Sequence, residues 1–310
     1  MAHQVETMFY TREAPWHGLG VHVNEALSAK EALLAAGLDW EVTQREIQTS
    51  DNLLVPGYKA NIRSSDQEVL GVVSDRYRII QNQEAFAFTD RLLGEGVRYE
   101  TAGSLQKGRR VWLLARLPQN YQIAGDAVTP YLVFSNCHDG TGAVKVAMTP
   151  VRVVCQNTLN IALAHAQRSW SATHTGNITS KLDDAKKTLL LAEHYMEKLQ
   201  KEAASLQHRS LADSQVKEYI QLLLPEPENA SPIQQRNLSV LRTDLASRYF
   251  EAPDLTAQPK STWRFLNAVS DFATHSAPLR KTKHYKEAVF AKTIEGNPLT
   301  DKAYELIQAS

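Results

Sequence analysis

The sequence predicts an α+β fold: a mostly antiparallel β-sheet core in the order hairpin, helix, β-meander, helix, then an all-helical C-terminal third. Three observations carry that prediction. Between Trp40 and Thr149, short apolar runs alternate with the period of a strand. Gly- and Asp-containing turns separate those runs at hairpin spacing. From Thr179 onward the period changes to that of amphipathic helices. The expected division is an α+β core over residues 1–170 and a helical region over 171–310.

Residues 1–24 read as irregular, with an exposed turn at Pro15-Trp16-His17-Gly18-Leu19-Gly20. Ser28 and Glu31 form a capping box for a short helix that stops at Gly37. Trp40 to Gln48 alternates as a strand, and Tyr58–Arg63 with Glu68–Ser74 forms a hairpin around Ser64-Ser65-Asp66-Gln67. Asn82 opens a helix that turns Phe86, Leu92 and Leu93 to a core and ends at Gly94.

The meander follows as Arg98–Leu105, Arg109–Leu117, Pro130–Cys137 and Ala143–Thr149. Its links are Lys107-Gly108, Gly125-Asp126 and Asp139-Gly140-Thr141-Gly142. Cys155 to Gln167 has the length and periodicity of a buried helix. Further helices are expected at about Lys181–Leu206, Ala212–Leu224, Ser231–Ala246, Lys260–Ser276 and Asp301–Gln308.

Lysine plus arginine and aspartate plus glutamate each number 34, so the net charge is zero and no global field favours a polyanion. Locally the balance differs. Lys107, Arg109, Arg110, Arg116, Lys145, Arg152 and Arg168 face only Asp126 and Asp139 in their segment. A second basic stretch holds Lys260, Arg264, Arg280, Lys281, Lys283, Lys286 and Lys292. No run reaches the roughly 18 apolar residues of a membrane helix, and the N-terminus lacks a secretory pattern. No membrane partner is expected. Two cysteines form no disulfide framework, so a reducing cytoplasm is the expected location.

Enzyme chemistry finds little footing. Cys137 and His138 are neighbours on a strand and point to opposite faces, so they cannot pair as nucleophile and base. Cys155 sits in an apolar context. His17, His22, His138, Asp139 and His165 fit no metal-ligand spacing, and Gly140-Thr141-Gly142 is no phosphate loop, so no metal or cofactor is expected.

Nucleic acid is the better match. Single strands are bound by cations along a phosphate track with flat rings for the bases. The meander interleaves both, in Lys107, Arg109, Arg110, Trp112, Tyr131, Lys145 and Arg152, and Arg76 follows the first hairpin. Arg152 within an apolar run needs a carboxylate or a phosphate. Gln156, Asn157 and Asn160 at a helix entry cap strand ends or face a ligand.

Three segments carry a resemblance: Pro15 to Gly20, Arg76 to Asn82 with Glu84 and Phe86, and Asn136 to Gly140 with Arg152 to Leu159. They resemble a family of phage/plasmid-like proteins catalogued as domain of unknown function 932. The resemblance spans about residues 8 to 290 and implies a mobile-element context with no catalytic residues to carry over. The element order is also similar to the core of single-strand annealing proteins, which form rings or filaments on DNA. The expectation is a non-enzymatic DNA-binding protein of a phage, prophage or plasmid, acting in single-strand binding or annealing as a homo-oligomer. The alternative is an interaction protein that inhibits a host defence or restriction system through a host protein partner.

Overall fold

The structure is a computed structural model that describes residues 5–11, 20–93, 97–117, 119–152, 169–177, 180–181, 183–185, 192–276, 279 and 297–309. The chain forms two compact units. One comprises Met1–Gln119, Tyr131–Met148 and Gln167–Leu191; the other comprises Asn120–Pro130, Thr149–Ala166 and Ala192–Ser310.

The larger sheet is built from β1 (Val5–Tyr10), β2 (Val21–His22), β6 (Arg98–Leu105), β7 (Arg110–Arg116), β8 (Tyr121–Ile123), β9 (Asp126–Cys137), β10 (Val144–Arg152) and β11 (Ser169–Ala172). Its order is β11-β10-β9-β7-β6-β1-β2, with β8 paired to β9. The pairings of β1 with β6, β6 with β7, β7 with β9, β8 with β9 and β10 with β11 are antiparallel, whereas β1 and β2 are parallel. A second sheet, β3 (Val42–Gln48), β4 (Leu54–Arg63) and β5 (Val69–Ser74), is an antiparallel meander.

Strand alternation sets the core. Val111, Leu113 and Ala115 of β7 lie on one face with Ala102, Leu132, Phe134, Val144 and Val146 of neighbouring strands. Against them pack Ala32 and Ala36 from α1 (Ala29–Ala35) and its C-cap, and Ala85, Phe86 and Phe88 from α2 (Asn82–Leu93). The capping box forms as expected: Glu31 accepts from the Ser28 amide at 3.0 Å and from its hydroxyl at 2.6 Å. Gly37 ends the helix at φ +62. On the opposite face, Trp112 pairs in register with Gly103. A Cβ at Gly103 would stand 2.7 Å from the Trp112 ring and 2.3 Å from the Thr7 carbonyl oxygen, so only glycine admits these neighbours.

The second unit contains α3 (Ala192–His208), α4 (Asp213–Leu223), α5 (Pro232–Glu251), α6 (Pro253–Thr256), α7 (Thr262–His275) and α8 (Pro298–Ala309). α7 is its centre, because Trp263, Phe265, Leu266, Val269 and Phe272 are all buried. Buried Arg264 donates to the Tyr249 carbonyl with Nε (3.0 Å) and Nη2 (2.5 Å), and to the Gln258 carbonyl with Nη1 (3.2 Å). Lys260 binds both carboxylate oxygens of Asp213. These two cations of the second basic stretch therefore hold the fold together. Its members Arg280, Lys281, Lys283, Lys286 and Lys292 lie outside the described residues.

Two expectations change. The segment expected to be irregular contains β1 and β2, with Met8 6% and Phe9 0% exposed. The apolar Met8-Phe9-Tyr10 run is too short for periodicity to register, and its pairing with β6 supplies the order. β8 and β11, of three and four residues, are additions of the same kind, too short to show a period of their own. The expected helix Cys155–Gln167, the Pro15–Leu19 turn and parts of Lys181–Leu191 lie outside the described residues.

Candidate functional site

Two hairpin tips meet at one end of the larger sheet. The β6–β7 tip turns through Gln106 (φ 55), Lys107 (φ 58) and Gly108 (φ 79) into Arg109. The β9–β10 tip turns through His138 to Gly142. The His138 amide donates to the Arg109 carbonyl at 2.7 Å, tying one tip to the other. Asp139 closes the second tip by accepting from the Thr141 amide (2.9 Å) and hydroxyl (2.7 Å).

The smaller sheet clamps both tips. Asn61 donates to the His138 carbonyl at 2.6 Å, and the Tyr77 hydroxyl donates to the Cys137 carbonyl at 2.6 Å. At Gly71 a Cβ would meet Asp139 Cα at 2.6 Å, so β5 and the tip touch through backbone. Arg63, stacked over Trp40, grips Asp66 through two bonds and Glu6 through a third (2.8 Å). The guanidinium holds the Asp66 carboxyl pKa down to about 2.

Beneath the tip lies a buried polar cluster. Asn82 Nδ2 donates to the carbonyls of Leu38 (3.0 Å) and Trp40 (3.4 Å), leaving its Oδ1 as an acceptor for His138 Nε2 at 3.1 Å. That assignment places the proton on Nε2 and makes the buried Nδ1, which has no partner among the described residues, a bare acceptor. Desolvation, with a smaller push from His174, drives the His138 pKa down to about 3. His174 stacks on Tyr77 with ring centroids 4.5 Å apart and faces the Arg78 carbonyl through Nδ1 at 3.0 Å. Burial lowers its pKa too. Replacing Tyr77 by phenylalanine removes the hydroxyl but keeps the stack. An equilibrium urea titration should show a loss of about 1–2 kcal/mol, and an unchanged midpoint would remove this bond from the clamp.

The meander cations divide. Arg109 is exposed, and its side chain has no hydrogen-bond or ion-pair partner among the described residues. Arg110 stands opposite Cys137, half-buried, with a buried Nε that bonds nothing and no carboxylate in reach among those residues. Lys145, opposite Ser171, is half-buried, and with Arg110 it acts on the Cys137 thiol from the same end of the sheet. Lys107 reaches Glu68 at 3.2 Å. Arg76 is exposed in the turn before Tyr77 and is unpartnered among the described residues. Arg152 ends β10 in the other unit, its side chain outside the described residues, as is Asn157 altogether.

The expected stacking rings are placed differently. Trp112 is 7% and Tyr131 4% exposed, so neither presents a face to a base. Trp112 fills the vacancy over Gly103, which strand alternation alone does not reveal. Cys137 is buried against Gly142, and desolvation pushes its thiol pKa up despite Arg110 and Lys145. Among the described residues no three His, Cys, Asp or Glu side chains are grouped to hold a metal ion.

Residues 69–293 match the sequence model of a domain of unknown function, DUF932, well over half of the 310-residue chain. The chain belongs to the DUF932 family. No curated protein and no solved structure matches it. The DUF932 region takes in both hairpin tips and the Asn82–His138 cluster. It begins at Val69, so β3, β4 and the Arg63 clamp precede it. Sequence reasoning misses Asn61 and His174 in this DUF932 protein, and reads Tyr77 only as an aromatic within the Arg76–Asn82 segment. Their signal is weak in sequence, because each acts through a backbone carbonyl many residues away.

Proposed function

We propose that this DUF932 protein binds DNA without catalysing a reaction on it, serving single-strand binding or annealing in the recombination or replication of a phage, prophage or plasmid. Arg109 and Arg110 grip backbone phosphates, with Lys145 and Arg76 beside them. The observation behind this reading is two successive arginines without an acceptor among the described residues, one of them half-buried, where four others are spent on the fold. Arg63, Arg242, Arg248 and Arg264 are engaged by carboxylates or carbonyls. Adjacent Arg109 and Arg110 hold no acceptor among the described residues, on a tip tied through the Arg109 carbonyl to the β9–β10 tip that the second sheet holds. Two unneutralised guanidinium groups on successive residues are suited to phosphate oxygens. Oligomerisation into a ring or filament belongs to the same proposal and is read from the mass of the particle with and without DNA.

Fluorescence anisotropy with a labelled oligonucleotide at low salt tests it. The double charge reversal Arg109→Glu/Arg110→Glu should weaken binding more than tenfold and lower the salt slope by about 1.4, two single-strand phosphate contacts. Wild-type protein that fails to bind at about 100 µM, the weak end of non-specific affinity, overturns the proposal.

A second reading, a partner surface for a host defence factor, is favoured by α5. Ile233 and Val240, seven residues apart on one side of that helix, are 73% and 52% exposed. Stoichiometric capture of a host protein by a chain that does not bind DNA would support this reading over the first.

A further inference from the structure

We infer that the base-stacking ring of this protein is Tyr58, and that its ligand is a single strand laid across the outer face of the β3–β4–β5 sheet. The inference rests on the DNA-binding reading above and names the ligand class that reading leaves open.

Register defines the face. Asn61 is buried toward the β9–β10 tip, so the residues alternating with it on β4, Tyr58 and Ala60, turn outward. Their rows are Tyr58 with Ser74, Arg45 with Ala60 and Val72, and Thr43 with Ile62 and Val69. Tyr58 is 53%, Val72 58% and Val69 47% exposed, so a flat ring stands in an open apolar floor on the central strand. Its hydroxyl has no hydrogen-bond partner among the described residues. The ring is thus uncommitted in the fold, unlike Trp112 and Tyr131.

Charge decides between occupants. These rows contain no carboxylate, and Arg45 is their only charged side chain. At the Tyr58 end, the Asp75 amide donates to the Gly57 carbonyl at 3.0 Å, which seats exposed Arg76, unpartnered among the described residues, beside the strand end bearing Tyr58. Asp75 is the acidic neighbour there. Tyr77 then leads to Cys137, opposite Arg110. Arg45 on the face and Arg76 at its end supply cations beside an open ring, which is the composition of a single-strand platform. A duplex offers its phosphates but hides its base faces.

The experiment compares wild type, Tyr58→Ala, Tyr58→Phe and Arg109→Glu/Arg110→Glu on a labelled oligothymidylate and on a duplex of equal length. Tyr58→Ala should weaken oligothymidylate binding roughly tenfold, with the duplex unaffected and the salt slope unchanged. Tyr58→Phe, which keeps the ring, should bind as wild type. Oligothymidylate binding that Tyr58→Ala leaves unchanged, the result expected of a protein-docking face, overturns the inference while the arginine reading stands. Equal losses on both ligands also overturn it. Wild type that binds neither ligand removes the DNA-binding reading and the inference together.

Discussion

Gly103→Ala should cost on the order of 3–5 kcal/mol of stability, more than any surface substitution in this protein. The added methyl would stand 2.3 Å from the Thr7 carbonyl oxygen, 2.6 Å from Met8 Cβ and 2.7 Å from the Trp112 ring. Two of those neighbours belong to β1 and the third to β7, so relief requires one strand to leave its register. The carbonyl cannot turn away as a flexible side chain would. Gly57 is the natural control. It has φ +80, and a Cβ added there would meet nothing within 4 Å, so Gly57→Ala carries only backbone strain of about 1–2 kcal/mol. Urea unfolding of both variants measures the difference. A Gly103→Ala midpoint equal to that of Gly57→Ala would show that β1 and β7 are not packed as described.

Acid should destabilise the protein before most of its carboxylates protonate. His138 titrates near 3 in the fold against a usual 6.5, so the unfolded chain binds a proton that the folded one refuses. Stability is therefore complete above pH 6.5 and falls as pH drops toward 3. The slope approaches about 1.4 kcal/mol per pH unit for this one group. At about pH 4.5 the loss from His138 is roughly 3 kcal/mol. His174, also depressed by burial, adds in the same direction. Asp66 works in another window: held at about 2 by Arg63, its stabilising pair is lost only below its usual 3.8. Urea titrations between about pH 7 and 4.5 isolate the histidine contribution. His138→Gln should flatten the slope, with His174→Gln as a second variant where the first does not fold. A parent whose midpoint is constant across that range would contradict the neutral, buried state of both rings.

The elements are legible where local chemistry declares them. Ser28 and Glu31 mark a helix start, Asn82 another, and Asp139 to Gly142 can only be a tight link between strands. Alternation also separates Arg110 and Trp112 from Val111 and Leu113 correctly. It does not say which face of a strand is covered. By residue type Trp112 and Tyr131 should meet bases, yet the room for Trp112 is made by Gly103 on the next strand. Asn82 and His138 meet across 56 residues, and nothing local to either names the other. The cations Arg109 and Arg110 stand out as neighbours in sequence, whereas their lack of acceptors emerges only when the carboxylates of the described residues are in place. Tyr58 reads as a strand residue, and its 53% exposure shows only once the sheet's covered face is known.

Strand β1 carries a consequence for the time course of folding. Thr7 and Ser104 touch across 97 residues, and among the described residues β1 has no antiparallel partner other than β6. During synthesis β1 must wait, as a bare edge, until β6 has emerged and the intervening loop has closed. Such long-range closure is slow compared with the local hairpins β4–β5 and β6–β7. The first strand of the chain is then among the last to dock: local hairpins early, β1 late. Until it docks, the edge of β6 and the backbone of β1 are both open to pairing with another nascent chain.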